Sequence, residues 1–298
     1  MKVALRVDFD TYTGVRRGLP RLLASLRAFS IRTSMFFSLG PDNMGRHLLR
    51  LFRKDFLVKM LRSSAPSLYG WEILFRGTIL PGPMIHKVLS PHLADAVEDG
   101  HEIGLHAWDH HRWQSRVERM TAGEIVAELG KGLELLSELS GRKIDSFAAP
   151  GWRATAALLE AEAELFLRYA SDCRGKSVFL PVRPGRHSVV PQVPVTLPTY
   201  DEAIGREGVT PDNYNRFLLS LLKEDGINVL AIHAEVEGMK LNPLFEDFLR
   251  LAAERGIEFI PLGDLLPPAP ALPPPGKMCR GSVSGREGWV AIQDSRGS

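Results

Sequence analysis

The sequence predicts an α/β protein built as a single (β/α) barrel, complete or incomplete. Alternating strand and helix patterns continue over residues 1–266, and such alternation is typical of a parallel sheet. No G-x-G-x-x-G motif follows the first strand, which argues against a doubly wound dinucleotide-binding fold. The 298 residues are also enough to bury one large core.

Apolar spacing and capping residues predict each element in turn. The first unit is a β-branched strand at 3–7, a helix at 19–29 and a second strand at 33–38. The alternation resumes after residue 90, with a helix at 91–98, a strand at 102–105, a helix from the capping box of Thr121 and Glu124 to Gly141, a strand at 146–148 and a helix at 155–167. The last elements are a helix from Thr210 to residue 225, a buried strand at 227–232, a helix from Asn242 to Gly256 and a strand at 258–260.

Two segments fall outside this alternation. Residues 40–90 form an insertion that is apolar, aromatic and locally basic, and in part it has the spacing of an amphipathic helix. Residues 267–298 are rich in Pro, Gly and Ser, so we expect a disordered tail.

Bulk composition limits the function classes. The formal net charge is +2, so nothing global favours nucleic acid as a partner. The two cysteines stand in no paired motif, and the N-terminal apolar run is too short for a signal peptide. No run of about 18 apolar residues predicts a membrane-spanning helix. We therefore expect a cytoplasmic protein.

Acids and imidazoles follow three of the predicted strands. Asp8 and Asp10 end the first strand and, being two residues apart, point to the same side. His106 and His110 follow another strand at a spacing that suits one metal ion, and His233 follows the buried strand at 227–232. Two imidazoles and one carboxylate can bind Zn²⁺, Mn²⁺ or Co²⁺, and one carboxylate and one imidazole remain as base and acid. At this point His111 is an alternative to His110 as a ligand.

These residues stand in motifs that resemble those of the polysaccharide deacetylases, the NodB-type carbohydrate esterases. The similar stretches are VDFD (7–10), GHEIGLHAWDH (100–110) and LAIH (230–233), which occur in the family's order over about residues 1–265. The resemblance implies a distorted (β/α)7 barrel and one divalent metal ion. It also implies Asp8 as general base, Asp10, His106 and His110 as metal ligands, and His233 as general acid.

The third motif departs from the family pattern. FAAPGWR has Ala148 and Ala149 where the family usually has an arginine, so we expect Arg153 to orient Asp8, with Asp172 as its partner. Near these motifs we expect the sugar to contact Gly151, Trp152, Asp172 and Glu235. The role of Glu237 is left open.

With this departure, the sequence resembles one branch of the family in particular. GPDNMGRH (40–47), SLYGW (67–71), PGWRA (150–154) and HAEVEG (233–238) are similar to the enzymes that remove formate from 4-deoxy-4-formamido-L-arabinose carried on undecaprenyl phosphate. That branch acts in the aminoarabinose modification of lipid A, which confers polymyxin resistance. The resemblance implies hydrolysis of a linear amide, with a lipid-linked sugar as substrate.

A lipid substrate gives the insertion a predicted role at the cytoplasmic face of the inner membrane. Basic and aromatic side chains suit contact with anionic lipid, and we expect this contact from Arg46, Arg50, Phe52, Arg53, Phe56 and Trp71. The alternative for the segment is a helical pair packed on the barrel. Alternatives for the whole chain are a deacetylase of peptidoglycan or chitin-like oligomers, an allantoinase-like amide hydrolase and a non-catalytic membrane-binding module. The oligomeric state stays open.

Overall fold

A computed structural model of the chain describes residues 1–46, 78, 82–183, 186–187 and 190–294. Its strands, in chain order, are β1 Lys2–Phe9, β2 Ser34–Ser38, β3 Glu102–Ala107, β4 Ser146–Phe147, β5 Tyr169–Ala170, β6 Leu180–Arg183, β7 Arg186–His187, β8 Val229–His233, β9 Glu258–Ile260, β10 Pro275–Gly281 and β11 Val290–Asp294. Most of the insertion lies outside the described residues.

Seven of these strands form one parallel sheet. Its order is β5-β4-β3-β2-β1-β8, and β9 pairs with the first residues of β1. The strand order does not close on itself, so the sheet forms a half-barrel. This confirms the predicted α/β barrel in its incomplete form.

Helices connect the strands and cover the sheet. They are α1 Leu19–Ala28, α2 His86–Glu98, α3 His110–Arg116, α4 Ala122–Ser140, α5 Ala156–Glu164, α6 Tyr200–Ala203, α7 Tyr214–Ser220 and α8 Asn242–Glu254. The predicted capping box opens α4, and Gly141 ends it at a φ of 65°. Among the described residues, no helix combines the length and apolar character needed to cross a bilayer.

The core lies between the sheet and its helices. Every residue of β1 after Lys2 is buried, which fits a central strand covered on both faces. The apolar stripe of α1 packs into the same core with Leu19, Leu22, Leu23 and Leu26. Such packing holds the carboxyl ends of the central strands in fixed positions.

One helix is shorter than the sequence predicts. The pattern from Thr210 predicts a helix to residue 225, but α7 covers only Tyr214–Ser220. The side chain of Asn228 accepts a hydrogen bond from Lys223 N and donates one to Lys223 O. These bonds satisfy backbone groups in a loop, where sequence spacing alone favoured a helix.

The predicted disordered tail is wrong for residues 275–294. Strands β10 and β11 form an antiparallel hairpin with five paired positions. β10 also pairs with β6, so the hairpin joins a second sheet of order β11-β10-β6-β7. Val290 and Ala291 are buried, and this apolar contact outweighs the Pro and Gly content on which the prediction relied.

Candidate metal centre and active site

The carboxyl ends of β1, β3 and β8 bring the predicted site residues together. Asp8 on β1 stands beside His233 on β8 in the sheet register. Asp10 follows the end of β1, His106 lies on β3 and His110 is the first residue of α3. Parallel strands place their carboxyl ends at one edge, which is where α/β proteins generally bind ligands.

Asp10, His106 and His110 form a compact buried group. Each offers a ligand atom within 4.8 Å of the other two. Nε2 of His106 lies 3.2 Å from Oδ1 of Asp10, and Nε2 of His110 lies 3.4 Å from Oδ2. The predicted alternative, His111, is half-buried and stands outside this group.

The two histidines lie on different elements, His106 on β3 and His110 at the start of α3. The pairing of β2 with β3 skips from Leu105, opposite Phe37, to Ala107, opposite Ser38. His106 therefore has no partner in this register, and such an irregularity in a strand re-aims side chains next to active sites. His110 reaches the same point from the start of α3, whose first turn is capped by the side chain of Asp109.

A chain of buried hydrogen bonds fixes the ring of His106. Its Nδ1 lies 2.6 Å from the carbonyl oxygen of Ala148, which leaves Nε2 facing Asp10. The next amide, Ala149 N–H, donates to Oδ1 of Asp172 at 2.7 Å, and Gln192 donates to Oδ2 at 2.9 Å. Such outer partners orient the ring of a metal-binding histidine and select its tautomer.

These three residues fit a divalent metal ion. Oδ1 of Asp10 is buried without a hydrogen-bond partner among the described residues, and Nε2 of His106 and Nε2 of His110 both face Asp10. Burial lowers the pKa of His110 to about 4, so the ring is neutral at pH 7, the form that binds metal. Two imidazoles and a carboxylate are a common ligand set for Zn²⁺ and related ions.

Asp8 is held in place by an arginine that the sequence analysis missed. Arg6 Nε and Nη2 donate to the two carboxylate oxygens of Asp8, each at 2.7 Å. Burial raises the pKa of Asp8, but the charge of Arg6 and its hydrogen bonds outweigh it and lower the pKa. Arg6 lies two residues before Asp8 on the same side of β1, and that alternation was the available signal.

The expectation that Arg153 orients Asp8 is wrong. Arg153 lies against Glu118, with 3.3 Å between nitrogen and oxygen, and its guanidinium is 4.7 Å from the ring centre of Trp289. Arg6 pairs with Asp8 instead, because the two side chains lie two residues apart on the same side of β1.

His233 faces both acids of β1. Burial lowers its pKa, but Asp10 and Asp8 outweigh burial, and the pKa is raised above the usual value. The backbone N–H of His233 donates to Oε2 of Glu237 at 2.9 Å. Glu237 is itself buried, and burial raises its pKa to about 7. The negative charge of the two acids therefore acts against the effect of burial at this strand end.

Glu235 stabilises the turn after β1. It was predicted to contact the sugar, but its carboxylate binds the chain of this turn instead. Oε1 of Glu235 accepts hydrogen bonds from the backbone of Asp10 and from the backbone and hydroxyl of Thr11. The side chain is 1% exposed, because the turn covers it. Gly14 packs against the same carboxylate, and a Cβ at Gly14 would overlap Oε1. We call Thr11, Gly14 and Glu235 the β1 clamp.

The other expected sugar contacts are also largely covered. Asp172 has no exposed surface, and both its oxygens accept hydrogen bonds, so it positions His106 through the backbone. Trp152 is 2% exposed, because the guanidinium groups of Arg174 and Arg286 lie over its ring. Gly151 stays half-buried beside them.

Of the predicted membrane contacts, the described residues include Arg46, which is exposed. The others, Arg50, Phe52, Arg53, Phe56 and Trp71, lie outside the described residues.

Comparison with known proteins identifies the family of the chain. The family model of the polysaccharide deacetylases matches residues 3–170, which is more than half of the chain. That stretch contains Asp8, Asp10, His106 and His110.

The chain belongs to the polysaccharide deacetylase family. A curated relative from Shewanella sediminis (strain HAW-EB3) is 49% identical over 294 residues, 99% of this chain and 95% of its own. Another, from Wigglesworthia glossinidia brevipalpis, is 39% identical over 94% of this chain and 98% of its own. Both are named probable 4-deoxy-4-formamido-L-arabinose-phosphoundecaprenol deformylase.

Solved structures of polysaccharide deacetylases share the fold. A putative polysaccharide deacetylase from Mycobacterium smegmatis has a TM-score of 0.62 at 15% identity, over 95% of this chain and 94% of its own. A family 4 acetyl xylan esterase from Clostridium thermocellum, in complex with a cobalt ion, has a TM-score of 0.50 at 14% identity, over 89% of this chain and 90% of its own.

Proposed function

We propose that this chain hydrolyses the formamide of 4-deoxy-4-formamido-L-arabinose carried on undecaprenyl phosphate, releasing formate and the amino sugar lipid. The observation that carries the proposal is 49% identity, over 99% of the chain, with a relative named for that reaction. The buried group of Asp10, His106 and His110 beside Asp8 and His233 supports metal-assisted amide hydrolysis.

The chain's own residues divide the proton transfers. Asp8, held ionised by Arg6, accepts a proton from the attacking water. His233, beside Asp8 in the sheet register, donates a proton to the sugar nitrogen as the C–N bond breaks. A divalent ion on Asp10, His106 and His110 would supply a Lewis acid for the formyl oxygen and lower the pKa of the water.

The reaction class is tested by assaying formate release from the formamido sugar lipid, after metal removal and reloading with Zn²⁺, Mn²⁺ or Co²⁺. We expect turnover to disappear with the metal and to return with at least one of the three ions. The matched substrate carries an acetamide at the same carbon. Faster release of acetate than of formate would contradict deformylation and favour a deacetylase.

We also place the reaction at the cytoplasmic face of the inner membrane, in the aminoarabinose modification of lipid A. The lipid-linked substrate in the relatives' name and the basic, aromatic composition of residues 40–90 support this location. Vesicle flotation tests it: we expect the protein to float with anionic vesicles and less with neutral ones. Equal recovery with both would contradict an electrostatic membrane contact.

A further inference from the structure

The loop of the C-terminal hairpin brings an arginine to the Pro150–Trp152 turn. The guanidinium carbon of Arg286 lies 4.3 Å from the ring centre of Trp152. Its Nη2 would be 3.0 Å from a Cβ built at Gly151, which has a φ of 62°. Glycine therefore allows both the turn and the close approach of Arg286. The side chain of Arg286 is 17% exposed, so part of it remains open to a ligand.

An amide from α3 reaches the same glycine. Nε2 of Gln114 would be 2.6 Å from a Cβ at Gly151, and Gln114 is half-buried. Gln114 follows His110 by four residues in α3. Side chains four apart on a helix are neighbours, with about 5–6 Å between their Cβ atoms. Gln114 and Arg286 thus offer N–H donors at Gly151, and Gln114 leaves α3 next to the metal-group residue His110.

The charge around Arg286 favours an anion. Glu202 is 1% exposed and lies 3.5 Å from Arg286, but it also accepts two hydrogen bonds from Arg174. One carboxylate thus serves two guanidinium groups, and the three side chains together are positively charged. Below them, Trp152 Nε1 is a buried donor without an acceptor among the described residues.

We propose that Arg286 and Gln114 bind the phosphodiester that joins the sugar to its lipid. This rests on the proposed function, in which the sugar carries a formamide at carbon 4 and a phosphate toward undecaprenol. With the formamide at the metal group, the phosphate lies across one sugar ring, and Gln114, as the helical neighbour of His110, stands beside that group. Guanidinium groups bind phosphate oxygens with paired, charge-assisted hydrogen bonds.

This site gives the hairpin a function that a disordered tail could not have. Arg286 lies in the loop between β10 and β11, and the pairing of β10 with β6 and β11 fixes where that loop is placed. The phosphate site therefore distinguishes a lipid-linked glycosyl phosphate from an uncharged oligosaccharide.

The test compares Arg286→Gln with a control on the same hairpin, Lys277→Gln, which removes an exposed charge from β10. Two substrates carry the same formamido sugar, one as a short-chain prenyl phosphodiester and the other as the uncharged methyl glycoside. We expect Arg286→Gln to raise KM for the phosphodiester roughly tenfold or more, the equivalent of one lost charged hydrogen bond. We expect the KM of Arg286→Gln for the methyl glycoside to stay at the wild-type level. The KM of Lys277→Gln should stay there for both substrates. An equal loss on both substrates would assign Arg286 to structure alone and overturn the proposal.

A binding measurement separates this proposal from the proposed function. Calorimetry of the metal-loaded protein with geranyl methyl phosphate, and separately with inorganic phosphate, needs no turnover. We expect the diester to bind wild type and Lys277→Gln, and to bind Arg286→Gln at least about tenfold more weakly. Equal affinity for all three proteins would overturn the site, whatever the activity. Binding of inorganic phosphate without the diester would assign the site to a free anion and also overturn it.

Discussion

The metal group consists of Asp10, His106 and His110, and the network beside it consists of Asp8 and Asp172 with their hydrogen-bond donors. Both are buried, but they differ in how completely their polar atoms are paired. In the metal group, Oδ1 of Asp10 and Nδ1 of His110 lack hydrogen-bond partners among the described residues. In the network, both oxygens of Asp8 and both of Asp172 accept hydrogen bonds. Buried polar atoms are usually satisfied, so the unpaired set fits an external ion, while the paired set is held in place by the chain itself.

The largest effect is expected in the unpaired set, from His110→Ala. This variant removes one of three ligands, so we expect the metal content to fall from about one ion per chain to near zero. Turnover should be lost together with the metal. His111→Ala is the matched control, because that neighbouring ring lies outside the ligand group. Metal analysis of the purified proteins decides between them, and loss of metal from His111→Ala alone would reverse the ligand assignment.

A smaller effect is expected in the paired network, from Asp172→Asn. The amide NH2 of this variant would face the Ala149 N–H or the Gln192 amide, which are both donors, so one hydrogen bond would be lost. The Ala148 carbonyl that holds His106 would then be less firmly positioned. We expect metal affinity to fall about 10–100-fold, as for other outer partners of metal ligands. Competition with a chelator measures it. Asp212→Asn, at an exposed position, is the control, and equal affinities in the two variants would contradict the positioning role.

The smallest effect is expected in the β1 clamp, from Gly14→Ala. The added methyl would displace Glu235 from the turn that carries Asp10, at a cost of about 1–3 kcal/mol in the free energy of unfolding. Gly123→Ala is a matched control, since nothing lies within 4 Å of a Cβ there and alanine favours a helix. Denaturant unfolding checks both variants. A Gly14→Ala protein as stable as Gly123→Ala would show that the clamp does not constrain the turn.

The sequence was sufficient to predict the parallel sheet and the residues of the metal group. Asp10, His106 and His110 follow strands whose apolar patterns are clear, and parallel strands bring their ends together whatever lies between. The meeting of Asp8 and His233 at the same edge was predictable for the same reason.

The paired network and the hairpin depended on contacts between distant parts of the chain. Asp172 meets Ala149 across 23 residues, and Glu235 meets Thr11 across 224, so no local pattern reveals either bond. Arg6 was detectable by alternation, but an arginine in a buried strand is explained only once its partner is known. The hairpin was missed because composition does not show that β6 pairs with β10.

The central claim is that two carboxylates two residues apart, Asp8 on β1 and Asp10 just after it, have different tasks. Metal content and formate-release rate, measured together on Asp8→Asn and Asp10→Asn, test it directly. We expect Asp8→Asn to keep its metal and lose roughly 10²–10⁴-fold in turnover, the range of general acid–base catalysis, while Asp10→Asn loses the metal itself. Loss of metal from both variants, or near wild-type turnover in Asp8→Asn, would contradict the division.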